Sequence, residues 1–233
     1  MTPIRTAAVA AAAAAAMVAA PALAQDTGGD ATRVGIRAGD VLLRTRAILV
    51  APNERSGGIL PALPGETVSV DNSIMPEVDA TYMATDHIGF ELIASTTKHN
   101  VRGTQGTTGS IGKLASTWVL PPTLTVQYHF APDRHVRPYV GAGINYTIFW
   151  NEKASSGFEA AAGRTTVHMK DSVGWAAQAG IDIDVTRKMF VNLDVKYIDI
   201  DTTARLDTAA LGSQHVNVKL DPLVFGVGVG WRL

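Results

Sequence analysis

The sequence has no cysteine, so no disulfide framework is available and stability must come from backbone pairing and packing. Neither sign of charge is in excess. Twenty Lys+Arg stand against 21 Asp+Glu, and no basic field is present to attract nucleic acid. Beyond the first 24 residues, no run of 18 apolar residues occurs, which argues against a spanning helix. Catalytic and cofactor signatures are missing as well. Gly226, Gly228 and Gly230 are spaced by two and precede no helix, unlike a dinucleotide loop, and "GSIGKL" lacks the Ser/Thr that a phosphate loop places after its lysine. The six histidines (87, 99, 129, 135, 168 and 215) show no metal-ligand spacing, and no G-x-S-x-G occurs.

The first distinctive stretch is "MTPIRTAAVAAAAAAAMVAAPALAQ". Arg5, an alanine-rich run, Pro21 and Ala22-Leu23-Ala24 before Gln25 predict a cleaved secretory signal over 1–24, leaving one domain over 25–233. Its removal takes away only Arg5, leaving 19 Lys+Arg against 21 Asp+Glu. An exported chain without a spanning helix is periplasmic, secreted, or an outer-membrane barrel.

The rest alternates with period two, the mark of half-buried strands. Val41, Leu43, Ala47 and Leu49 alternate with Arg44 and Arg46. Pro76, Val78, Ala80 and Tyr82 alternate with Glu77, Asp79 and Thr81. Ile88, Phe90, Leu92 and Ala94 oppose Glu91; Leu124, Val126, Tyr128 and Phe130 oppose Thr125, Gln127 and His129. Val140 to Trp150 oppose Gly141, Gly143 and Asn145. Trp175 to Ile183 oppose Gln178, Gly180 and Asp182; Val191 to Tyr197 oppose Asn192, Asp194 and Lys196. The last set is Leu223, Phe225, Val227, Val229, Trp231 and Leu233. These are eight strands. Short connections (85–87, 131–136, 186–188) alternate with long ones rich in Gly, Ser, Thr and Asn (near 51–67, 97–112, 151–172 and 203–215). The pattern predicts an all-β fold: an eight-stranded antiparallel transmembrane β-barrel with short periplasmic turns and long extracellular loops. A soluble lipocalin-like barrel would put its bulky apolar side chains inside. Here the bulky face is continuous and the other face carries charges and glycines, which suits lipid outside and a narrow lumen inside. Aromatics near strand ends, among them Trp118, Trp150, Tyr82, Tyr128, Phe130 and Trp231, fit two interfacial girdles.

The stretches "VAPN", "TWVLPPTLTVQYHF", "RPYVGAGINYTIFW", "GWAAQAGIDI", "VNLDVKYIDIDT" and "DPLVFGVGVGWRL" resemble the OmpW family of outer-membrane proteins from about Asp40 to Leu233. The resemblance implies a monomeric eight-stranded barrel in outer-membrane lipid, with a narrow, partly hydrophobic channel associated with uptake of small hydrophobic molecules. Members often end in an aromatic residue read by the barrel-assembly machinery. This chain has Leu233 there, so recognition is expected to rest more on Phe225 and Trp231.

Strand direction sorts the lumen-facing residues by height. Arg44, Arg46, Glu77, Asp79, Glu91, Asp182, Asp194, Lys196 and Arg232 are expected to pair in a charged lower plug, because isolated charges there would be costly. His129 is expected beside it. Ile48, Val50, Met75, Val119, Phe149, Ile198 and Val224 form an apolar upper chamber. A solute in that chamber meets a barrier below, and its easier exit is sideways. Pro121 and Pro122 mark a candidate lateral opening, because proline donates no ladder hydrogen bond; a mere bend of the strand is the alternative. The reading is a channel for small hydrophobic solutes without cofactor, metal or catalytic residues. The first rival is a structural or surface-receptor barrel with a sealed lumen. The second is a barrel enzyme drawing on loop residues such as His99, Ser116 and Asp171. Asp199 and Asp201 are a loose candidate for weak ion binding, and "GFEAAAGR" for a short helix.

Overall fold

In a computed structural model the described residues are 34–233; the expected signal segment lies outside them. In chain order the elements are β1 (Val41–Ala51), β2 (Arg55–Ser56), β3 (Val68–Val70), β4 (Ser73–Met83), β5 (Ile88–Ser95), β6 (Thr97–Gly103), α1 (Gly106–Ile111), β7 (Lys113–Leu120), β8 (Thr123–His129), β9 (Val136–Ala154), α2 (Ser156–Ala162), β10 (Thr165–Met169), β11 (Ser172–Asp184), β12 (Met189–Ile198), β13 (Asp201–Thr208), β14 (Gly212–Lys219) and β15 (Leu223–Arg232).

Eight of these strands close on themselves in the antiparallel order β1-β4-β5-β8-β9-β11-β12-β15. β15 returns to β1 along its whole length, from Leu42↔Arg232 to Ala51↔Leu223, so the alternating end of the chain forms the closing seam. Closure pairs the backbone groups internally, which hydrocarbon requires. The alternation sorts side chains as the sequence pattern predicts. Phe90, Leu124, Val126, Ile144, Trp175, Leu193, Phe225 and Val227 are exposed on the outer wall, while Arg44, Glu91 and Asp182 are fully buried inside. In water the outer wall would be one large apolar patch; against lipid it is the ordinary surface of a membrane barrel. Among the described residues no helix is long and apolar enough to cross a membrane.

The long connections are more ordered than their composition suggests. β5 continues into β6, β8 is preceded by β7, and β9 runs on to Ala154, where it pairs with β7. β10, β13, β14 and β2 form a further small sheet. This extracellular extension has its own apolar interior, including Val68, Leu114, Phe158, Leu206, Val216 and Val218. α2 occupies the "GFEAAAGR" region. Its N-cap Ser155 accepts a hydrogen bond from the Phe158 N–H at 3.1 Å, the usual way to satisfy an open helix start.

Candidate functional site: an apolar chamber above a charged plug

Adjacent strands bring the lower lumen charges to one level. On β1 and β4, Arg44 lies opposite Asp79 and Arg46 opposite Glu77. Arg44 reaches Asp79 and Asp182 at 3.0 Å each. Arg46 contacts Glu77 at 2.8 Å, Asp79 at 2.6 Å and Glu91 at 3.4 Å. Lys196 bridges Glu77 and Asp194, both at 2.9 Å. Three cations and five carboxylates are thus interlocked in a nearly dry space. Uncharged partners complete the network: Thr81 accepts from Arg44, Gln178 and Thr125 donate to Glu91, Asn192 donates to Asp182, and Tyr139 donates to Asp194 at 2.7 Å. Glycines opposite make the room. A Cβ on Gly228 would lie 2.0 Å from the Thr45 carbonyl oxygen and 2.7 Å from Arg46 Cα, and one on Gly180 would meet the Tyr139 ring at 2.4 Å. Such crowding in an eight-stranded barrel gives a packed lumen rather than a pore at this level.

Arg232 is a correction to the expected plug. It sits at the short-turn rim, partly exposed, and donates to the Arg187 carbonyl. It is the last residue of its strand, where the lumen opens to the rim. His129 is buried beside the plug, its ring 5.2 Å from that of Tyr139. Below, Phe190 lies between the guanidinium groups of Arg44 and Arg137, at 5.5 and 5.4 Å, and packs with Leu42, Met83 and Ile36. Ile36 precedes the first strand. It is fully buried, and its N–H donates to the Pro132 carbonyl at 2.7 Å, so this segment corks the periplasmic mouth.

Above the plug the lumen is hollow. Ile48, Val50, Val119, Phe149, Ile198 and Val224 line a chamber of roughly 740 Å³, its open side included, whose floor is formed by Glu77 and Lys196. Met75, expected in this lining, is not part of it. It lies opposite Ile48 in the ladder but stays half-buried at the upper end of β4. A second apolar cavity inside the extension shares Val70, Val101, Thr117 and Met169 with the chamber wall, so the two adjoin.

One side of the chamber is structurally different. β5 and β8 pair up to Ile93↔Thr123, and β6 and β7 resume at Thr97↔Val119. Between them Ala94–Thr96 face Leu120–Pro122 without ladder pairs. Pro121, Ser95, Thr97 and Thr123 border the chamber at this break. On the outer side of the break the Thr96 hydroxyl oxygen is buried without a partner. Pro121–Pro122 therefore coincides with an interrupted wall, and the register is the same on both sides of it.

Comparison with known proteins matches the OmpW family model over residues 37–233. The chain belongs to the OmpW family. It is 42% identical to outer membrane protein W of Escherichia coli over 197 residues, covering 84% of this chain and 89% of the relative. Outer membrane protein W of Vibrio cholerae is 35% identical over 196 residues, covering 83% and 88%. The crystal structure of OprG from Pseudomonas aeruginosa superposes with a TM-score of 0.80 at 32% identity, covering 85% of this chain and 98% of that one. An OmpW-family chain with this fold is a bacterial outer-membrane barrel.

Of the remaining candidates in this OmpW-family barrel, His99 borders the chamber and the others do not. Asp171 accepts from the Tyr146 hydroxyl at 3.0 Å and the Phe149 N–H at 3.3 Å. His99 bonds to the Asp71 carbonyl and to Thr97, and Ser116 lies opposite Asn100 in the β6–β7 ladder. The three share no hydrogen bond. Burial holds the His99 imidazole below the usual histidine range, despite Asp71 nearby. Asp199 and Asp201 converge with Asp221, their oxygens within 4.8 Å, but Lys219 holds Asp201 at 2.9 Å and Arg55 approaches Asp221 at 3.4 Å. Sequence reasoning missed Tyr139, Arg137, Phe190 and Ile36. The first two continue the inward parity of Asn145, Gly143 and Gly141, and counting two more steps would have found them.

Proposed function

We propose that this barrel takes up small hydrophobic molecules. They enter the extension's apolar interior, pass to the chamber, stop above the plug and leave sideways into the bilayer through the break at Pro121–Pro122. The observation that carries this reading is the combination of an apolar chamber, a floor of locked ion pairs and a wall interrupted beside the chamber. An apolar solute gains by leaving water for the chamber. Passage through the plug would have to separate buried ion pairs, a step on the order of several kcal/mol.

The test replaces Pro121 and Pro122 with valine and follows uptake of an apolar fluorescent probe into cells. Uptake is expected to fall as the ladder closes; unchanged uptake overturns lateral exit. A second reading, a surface receptor with a sealed lumen, is favoured by the double closure of the periplasmic end by plug and Ile36. Equal probe uptake in cells with and without the protein would establish that reading instead. We also propose that insertion uses the barrel-assembly machinery, with Phe225 and Trp231 as the aromatic residues it reads.

A further inference from the structure

The chamber is apolar on most sides but not where its wall is interrupted. Ser95 and Thr97, at the junction of β5 and β6, and Thr117 and Thr123, on β7 and β8 across from them, bring four hydroxyls to the lining there. Their hydrogen bonds decide what they can offer a guest. The Asp71 carbonyl can only accept, so His99 Nδ1, 2.8 Å away, carries the hydrogen. In the neutral ring Nε2 must then accept, and Thr97 Oγ1 donates to it at 3.0 Å. Thr117 directs its proton to the Trp118 carbonyl at 3.1 Å and Thr123 to that of Pro121 at 2.9 Å. Thr97 and Thr117 are therefore left with oxygen lone pairs, whereas Thr123 already accepts from Asn145. The Ser95 hydroxyl has no hydrogen-bond partner among the described residues and opens on the chamber. A guest that donates a hydrogen bond finds acceptors here; a guest that only accepts finds Ser95.

The floor adds a second filter. Lys196 faces the chamber, but its ammonium group is already held by Glu77 and Asp194. The cluster beneath it has five carboxylates to three cations. A guest carboxylate would meet an excess of like charge in a poorly solvated space.

We propose that the chamber selects neutral amphipaths, molecules with an apolar chain ending in one hydroxyl, over plain hydrocarbons and over carboxylates of the same length. This inference rests on the reading of the chamber as a binding site for hydrophobic solutes. The apolar walls hold the chain, and the hydroxyl lies against Ser95 and Thr97, beside the break in the wall.

The experiment uses the purified full barrel in lipid nanodiscs, with anthracene, a fluorescent hydrocarbon without hydrogen-bonding groups, as the occupant. Decane, 1-decanol and decanoate compete at equal mole fraction in the lipid, at a pH where decanoate is ionised. Decanol is expected to displace the probe at roughly threefold to tenfold lower mole fraction than decane, the worth of one ordinary hydrogen bond, with decanoate the weakest. Ser95→Ala and Thr97→Val should each reduce the decanol advantage over decane, and displacement of the probe by decane in the same variants reports that the chamber is intact. Equal displacement by decane and decanol, or decanoate matching decanol, overturns the inference alone. Failure of the wild-type barrel to hold the probe, or of every competitor to displace it, overturns the uptake reading as well.

Discussion

Along β1 the lumen changes character in two residues. Arg46 is gripped by Glu77, Asp79 and Glu91, while Ile48, one step up on the same face, borders a cavity. β12 repeats the change from Lys196 to Ile198. The two regions share β1 and β12, and along both strands the inward side chains change from charged to apolar. Ionised groups removed from water must be met by partners, so the lower lumen is filled and fixed. Apolar walls leave no hydrogen bond unmade when they face each other across a gap, so the upper lumen stays hollow. This change of polarity divides one barrel into a stopper and a vessel.

The largest expected effect comes from unbalancing the stopper. Arg46→Met leaves Glu77 and Asp79 short of a partner and should destabilise the barrel by about 3–5 kcal/mol, read from denaturant unfolding in lipid. A loss under about 1 kcal/mol would mean that the cluster takes up water or protons and is not a locked unit. Gly228→Ala is next. The added methyl collides with the Thr45 carbonyl and Arg46, and overpacking of this kind costs about 1–3 kcal/mol. The vessel should respond the opposite way. Val119→Trp fills space already empty, so stability should change by less than about 1 kcal/mol while probe uptake drops severalfold. A large stability loss with normal uptake would erase the contrast between the regions.

The smallest effect is a pH response in the vessel's upper wall. His99 in the folded state resists protonation, so the unfolded chain takes up the proton first. Stability is complete above the ordinary histidine value of about 6.5 and declines as pH falls below it. With the intrinsic pH dependence of exchange divided out, the protection of β6 amides should fall on acidification in the wild type and stay level in His99→Asn. Equal pH sensitivity in both would assign the effect elsewhere.

Parity explains how much could be read beforehand. A strand's side chains alternate rigidly, so once Arg44 and Glu77 face inward, Arg46, Asp79, Ile48 and Val50 are placed with them. Strand count, closure and the two-level lumen follow from that rule. Parity says nothing about where a strand reaches the rim, and this is why Arg232 and Met75 were placed too deep. Ile36 was missed because it precedes the first alternating run and is buried by the chain's path rather than by a periodicity. The extension was hidden by its composition. Thr202, Ala204, Leu206 and Thr208 do alternate with exposed residues in β13, but small polar side chains give a weak signal next to glycine-rich neighbours.

The nineteen residues of β9 have one further consequence, which concerns distance. At about 3.4 Å per residue and a tilt near 40°, such a strand climbs roughly 50 Å, about twice the height of the lipid-facing apolar band of such barrels. The upper half therefore stands clear of the hydrocarbon. It carries its apolar lining through the polar surface layer, like a chimney above a roof. On the uptake reading proposed above, a solute that dissolves poorly in that layer need not cross it, because its route to the oily side of the membrane begins above the obstacle.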